Sequence, residues 1–307
     1  MTRLALLSAF LFLPLRMRKW LVFLMVPGLM ACEKDIEFNL DESAPTLVVD
    51  ASIENDLPPQ VVLTKSLSFF QQINPTILEN AFVHDAEVYM SNGTVTHKLK
   101  EQAIPLVAGY NAYVYTIDSS DLATAFTGEL NHAYSLRILA DGKEYLSNTF
   151  IPALNVVPDS VYYKQAPFIE DTTLRVMMVK ATDPPGLGNY IRYLTKRNSG
   201  PFLPGENSVY TDEVIDGTTY DVTFPQGIDR NDPPKADSNF YHKGDTVTFK
   251  FSNINKSTYQ FWNTWEFAFQ SIGNPFAQPN KVIGNVSNGA LGAFCGYAAW
   301  YNTQIVP

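Results

Sequence analysis

Cysteine is nearly missing from this chain: of 307 residues, Cys32 and Cys295 alone carry a thiol. That excludes a disulfide-stapled scaffold and a cysteine-rich metal centre. Histidine is almost as sparse, and His84, His97, His132 and His242 are scattered without ligand spacing. Positive charge is short too, with 22 Lys and Arg against 31 Asp and Glu, so the basic footprint that nucleic acid needs is missing. No Gly-x-Ser-x-Gly elbow, His-Glu-x-x-His pair, Walker loop or dinucleotide fingerprint occurs. The expectation is a protein that is not an enzyme, with no catalytic residue, no metal ligand and no cofactor beyond a covalent lipid. Internal repeats, coiled-coil heptads and low-complexity tracts are absent as well.

One apolar run is informative. Arg18 and Lys19 precede Trp20 to Met30, and Leu29-Met30-Ala31-Cys32 sets a small residue directly before a cysteine. A cationic start, a short apolar stretch and a small-residue cleavage site describe a secretory signal. Cysteine straight after that site resembles the bacterial lipobox, whose thiol takes a diacylglycerol. A membrane span needs roughly 20 apolar residues; this run is shorter, and Pro27 and Gly28 interrupt it. Residues 1–31 are therefore expected to be removed, with 1–16 an over-called start ahead of Met17. Cys32 is expected to carry lipid that anchors the chain to a membrane. A single myristoyl-length chain binds at only ~10⁴ M⁻¹, so stable anchoring needs two or three. Arg3, Arg16, Arg18 and Lys19 leave with the signal, so 18 basic residues face 31 acidic ones, a net charge of −13. Contact with an anionic leaflet is then made by the lipid, not by charge.

The acidic, unpatterned residues 32–45 read as a tether. From Thr46 the pattern turns to β. Thr46 to Ile53 and Gln60 to Lys65 flank turn chemistry at Asn55 to Pro59, and Asn92-Gly93 sits between the alternating runs 86–90 and 95–99. Strands at 113–115, 134–138 and 144–150 follow, the last two across Asp141-Gly142. The segment 46–155 predicts an immunoglobulin-like β-sandwich. The segment 156–307 predicts a second β-rich domain, with strands at 174–180, 190–194 and 246–251 and a rigid Asp183-Pro184-Pro185-Gly186-Leu187-Gly188-Asn189 loop. Residues 209–215 and 219–224 are expected to pair across Asp216-Gly217. A single helix is expected near 257–270, with Ser257 as its cap and Trp262, Trp265, Glu266 and Phe269 on one face. The tail from Gly273 to Tyr301 reads as loops and edge strands.

Among single residues, Cys295 lies in an apolar stretch and is expected to be a buried small hydrophobe. Asp229-Arg230-Asn231-Asp232 lacks the carboxylate spacing of a calcium loop and reads as a solvated turn. Most of the many aromatics after residue 256 suit core packing. Trp300 and Tyr301 are the expected contacts for a ligand or partner.

The Cys-Glu-Lys-Asp-Ile start, the Leu-Val-Val-Asp-Ala strand, the Asp183-Pro184-Pro185-Gly186 loop with Asn189-Tyr190, and the tail from Gly273-Asn274-Pro275-Phe276 to Ala293-Phe294 resemble the bacterial lipoproteins of domain-of-unknown-function family 4249. That resemblance spans nearly all of the chain after Cys32 and brings no catalytic residue with it. It implies an outer-membrane protein, facing periplasm or cell surface, that is encoded beside TonB-dependent receptors and assists one in substrate capture or uptake. The alternative is a stand-alone surface adhesion or structural lipoprotein.

Overall fold

In β1 (Leu47–Glu54) every second side chain, Leu47, Val49, Ala51 and Ile53, is buried, the period-two pattern of a strand with one face on a core. The computed structural model describes residues 44–68, 72–106, 109–167, 169–232, 239–274, 276–278 and 280–307. The signal, Cys32 and the tether up to residue 43 lie outside them. Antiparallel β2 (Gln60–Lys65) returns along β1. A short helix α1 (Pro75–Asn80) follows, with Asn74 Oδ1 accepting from Ile77 N at 2.9 Å. Then come β3 (Glu87–Ser91), β4 (Thr96–Pro105), β5 (Asn111–Thr116), β6 (His132–Ala140) and β7 (Lys143–Ile151). The turns at Asn92-Gly93 and Asp141-Gly142 join β3 to β4 and β6 to β7, as the sequence predicts.

The second half runs β8 (Pro158–Gln165), β9 (Leu174–Thr182), β10 (Tyr190–Arg197), β11 (Phe202–Thr211), β12 (Thr219–Phe224), β13 (Tyr241–His242), β14 (Thr246–Ile254), α2 (Lys256–Gln270) and β15 (Leu291–Ile305). The protein is mainly β. One sheet has eleven strands in the order β11-β10-β14-β15-β1-β2-β5-β4-β3-β6-β7, and β8, β9, β12 and β13 make a second. Residues 44–307 form one compact unit.

The expected boundary near 155 falls between β7 and β8. The large sheet runs through both segments, because β15 pairs parallel with β1 on one side and antiparallel with β14 on the other. The buried clusters divide more nearly at that point. The first is built from residues 47–151 and includes Leu63, Met90, Leu136 and Ile138, yet Phe294 and Ala298 of β15 enter it too. The second gathers Met177, Tyr193, Phe249 and Phe251 between the two sheets. A third lies where α2 covers Ala293, Cys295 and Tyr297.

Three expectations are corrected. The tail is not loops and edge strands throughout, since Leu291–Ile305 is an interior strand of the large sheet. Residues 293–299 are buried without interruption, so the run lacks the alternation that marks a strand with one wet face. Gly296 lets β7 cross close by: a Cβ there would come within 2.5 Å of Phe150 O. Second, residues 209–215 and 219–224 do not pair across Asp216-Gly217, because β11 pairs with β10 and β12 with β9. The turn carries the chain from one sheet to the other. Third, α2 is capped by Asn255, whose Oδ1 accepts from Thr258 N at 2.8 Å, while Ser257 Oγ donates to the same oxygen. The short α1 is a second helix beside the single one expected.

Candidate functional site

The crossing from β11 to β12 leaves a cavity of about 340 Å³ between the edge of the large sheet and the smaller one. Its floor is apolar, made by the buried Val156, Ile191 and Phe224. Val214, largely exposed, and Val222, partly exposed, stand at the rim with Tyr210. Val156 belongs to the linker between β7 and β8 and is fixed by the Asn253 side chain. Asn253 Oδ1 accepts from Val156 N at 2.9 Å, and Asn253 Nδ2 donates to Val156 O at 2.7 Å.

One end of this cavity is acidic. Asp183 and Asp212 line it, each 2% exposed, and Asp216 adjoins them, with one carboxylate oxygen from each of the three within 4.8 Å of the others. The Asp183-to-Asn189 loop builds this arrangement. Two prolines stiffen its start, and Gly186 and Gly188 take φ of +115° and +124°, backbone that favours glycine. Amides are thereby turned toward acids. Gly188 and Asn189 donate to Asp212 Oδ2 at 2.8 Å each, and Gly186 donates to Asp216 Oδ1 at 2.6 Å. Asp183 is held by the Gly217 amide at 3.4 Å and by a hydrogen bond from the Asn189 side chain. Burial pushes the Asp183 carboxyl above its ordinary range; the Gly217 amide pulls it back, and the charges of Asp212 and Asp216 raise it further. No Lys, Arg or His forms an ion pair with any of the three among the described residues.

Trp300 and Tyr301, the contacts expected from sequence, are adjacent on β15 and therefore face opposite ways. Trp300 is half-buried against the second core. Tyr301 is 43% exposed, and its hydroxyl donates to Glu54, which also pairs with Lys250. Neither lines the cavity. Cys32 lies outside the described residues. His97 is buried between Thr124 Oγ1 at 2.9 Å and the Asp118 amide at 3.2 Å. His84 pairs with Glu101, and His132 Nε2 with Asn92 O. In the Asp229 turn, Asp229 Oδ1 accepts from Asn231 N at 2.9 Å, and Arg230 reaches away to Glu266.

Cys295 is buried at 3% exposure beneath α2, and burial pushes its thiol up to about 11. Since the thiolate is the reactive form, the native protein is expected to resist iodoacetamide at pH 8 and to react fully in urea. Rapid alkylation of the native chain would contradict the buried placement.

A polar cluster under α2, with no local signal in the sequence, joins the helix to the large sheet. The Arg192 guanidinium lies 3.4 Å from the centroid of the Trp262 ring and donates to Tyr297 OH at 2.9 Å and Ser208 Oγ at 3.3 Å. Ser208 in turn donates from Oγ and N to Glu266, at 2.6 and 2.9 Å, and Arg230 pairs with Glu266 at 3.0 Å. The face of Trp262, Trp265 and Glu266 was legible as a helical stripe. Its partners were not, because they come from β10, β11, β15 and the connection after β12.

The fold and the cavity together define a mainly β protein with a preformed apolar pocket closed at one end by buried acids. The chain belongs to the family described as Domain of unknown function (DUF4249), which it matches over residues 33–300. No curated protein matches it. Among the described residues, no helix is long and apolar enough to cross a membrane.

Proposed function

We propose that this chain is a lipid-anchored outer-membrane accessory protein, held through Cys32, that assists a TonB-dependent receptor in capturing or taking up its substrate. The observation that carries this reading is an apolar segment left in solvent at the end of α2. Phe267, Ile272, Phe276 and Ile283 are 53%, 76%, 92% and 48% exposed. The chain after α2 folds back on the helix, Ile283 N donating to Thr264 Oγ1 at 3.0 Å and Asn280 Nδ2 to Thr264 O at 3.3 Å. Single exposed hydrophobics need no explanation, but four large ones in the short stretch from Phe267 to Ile283 favour docking on a partner. The lipobox-like Cys32 supplies the anchor. The family resemblance supplies the receptor, and the cavity offers a place for cargo. The reading assigns no catalytic step.

Crosslinking of intact lipoprotein in native outer membranes, followed by pull-down and mass spectrometry, tests this reading. The expected outcome is a TonB-dependent receptor recovered in near-equal amount, and a marked loss of that recovery in an Ile272→Ser, Phe276→Ser variant. Recovery of a solitary protein would overturn the accessory role in favour of stand-alone surface adhesion.

A further inference from the structure

We infer that the cavity between β11 and β12 takes a small organic cation, a primary ammonium group on an apolar body, with the ammonium seated at Asp183 and Asp212. This deepens the capture reading and rests on the cavity being its cargo site. Three observations select the class. First, the floor of Val156, Ile191 and Phe224 is apolar and already formed, so burying a hydrocarbon or aromatic body there removes apolar surface from water at no cost in rearrangement. Second, the two acids that line the cavity are 2% exposed with no cationic side chain paired to them among the described residues. A buried charge without a partner is unfavourable, and a ligand that brings the missing positive charge relieves it. Third, Asp183 retains acceptor capacity: the Gly217 amide reaches its carboxylate only at 3.4 Å, and the Asn189 side chain supplies one further hydrogen bond.

The donor set favours an ammonium over a metal ion. Calcium takes six to eight oxygens. Here Asp212 Oδ2 and Asp216 Oδ1 are already occupied by backbone amides, and the remaining walls are hydrocarbon. An ammonium has three donors, and Asp183, Asp212 and the Asn189 side chain all line the same end of the cavity. An anionic ligand is opposed by both carboxylates.

The test compares three probes of similar shape and different charge: phenethylamine, 2-phenylethanol and 3-phenylpropanoate. Calorimetric titration at pH 7.5 would use the chain carrying Cys32→Ser, which stays unacylated and keeps the compact unit 44–307. The amine is expected to bind at least about tenfold more tightly than the alcohol, the size of one charge-assisted hydrogen bond, and the propanoate not at all. Asp183→Asn should bring amine and alcohol to similar affinity, and Val222→Trp, which fills the rim, should abolish both. The comparison of probes on the unaltered cavity needs no folded variant. Equal binding of amine and alcohol, lost in Val222→Trp, would overturn the ammonium assignment and leave the cavity as cargo site. Binding of calcium ion in place of the amine would overturn it in favour of a metal. No binding of any probe would overturn it outright, while the receptor pull-down judges the accessory role separately.

Discussion

Glu266→Ala is expected to lower the stability of the folded chain by about 3–5 kcal/mol, the cost of breaking a buried ion pair from one side. Glu266 is 3% exposed and belongs to the same helical face as Trp262 and Trp265. Its carboxylate accepts from Arg230 at 3.0 Å, from Ser208 N at 2.9 Å and from Ser208 Oγ at 2.6 Å. Removing it leaves the guanidinium, only 11% exposed, without a counter-charge, and leaves the buried Ser208 amide without an acceptor. Arg230 keeps the carbonyl oxygens of Gly205 and Glu206 and its place 4.9 Å from the Trp265 ring, which argues for the lower part of the range. Glu266→Gln retains an acceptor oxygen and loses the charge, so a smaller loss of about 1–3 kcal/mol is expected. Urea denaturation, read by the fluorescence of the tryptophans on α2, measures both variants. A loss below about 1 kcal/mol for the alanine variant, no more than a surface pair gives, would mean that α2 is held by its aromatic packing alone.

The difference between the legible and the illegible parts of this fold is one of distance along the chain. The helix expected near 257–270 forms at Lys256–Gln270, and the Asn92-Gly93 and Asp141-Gly142 turns join neighbouring strands. These features are decided by residues a few positions apart. The β11-to-β12 turn has the same local chemistry as those hairpins, yet its strands find other partners: β11 pairs back with β10, the strand just before it, and β12 reaches past both to β9. The candidate site shows the same limit. The Asp183 loop and the Asp216-Gly217 turn were each recognisable as turns, but nothing local indicates that Asp183, Asp212 and Asp216 converge. Their meeting follows from two sheets coming together. The aromatic and small-residue run of β15 misled for the opposite reason: a strand buried on both faces carries no alternation to read.

Phe294→Ala is expected to cost about 3–5 kcal/mol, as removal of a fully buried phenyl ring does, and its effect tests whether the two halves of the chain fold together. Phe294 is 0% exposed and packs in the first core, among side chains from residues 47–151. Its backbone, however, sits on β15, which pairs with β1 on one side and β14 on the other. The chain therefore places a residue from its far end inside the core of its beginning. Unfolding the first core exposes Phe294 and frees one edge of β15, while the second core depends on β14 and on β10 beside it. If the shared strand couples them, calorimetry should show one transition, displaced downward by about 10 °C in the variant. Met177→Ala, fully buried in the second core, should then displace that same transition. If instead Phe294→Ala lowers one of two resolved transitions and Met177→Ala lowers the other, the cores melt independently. The division near 155 would then be a boundary in stability, with the eleven-stranded sheet continuous across it.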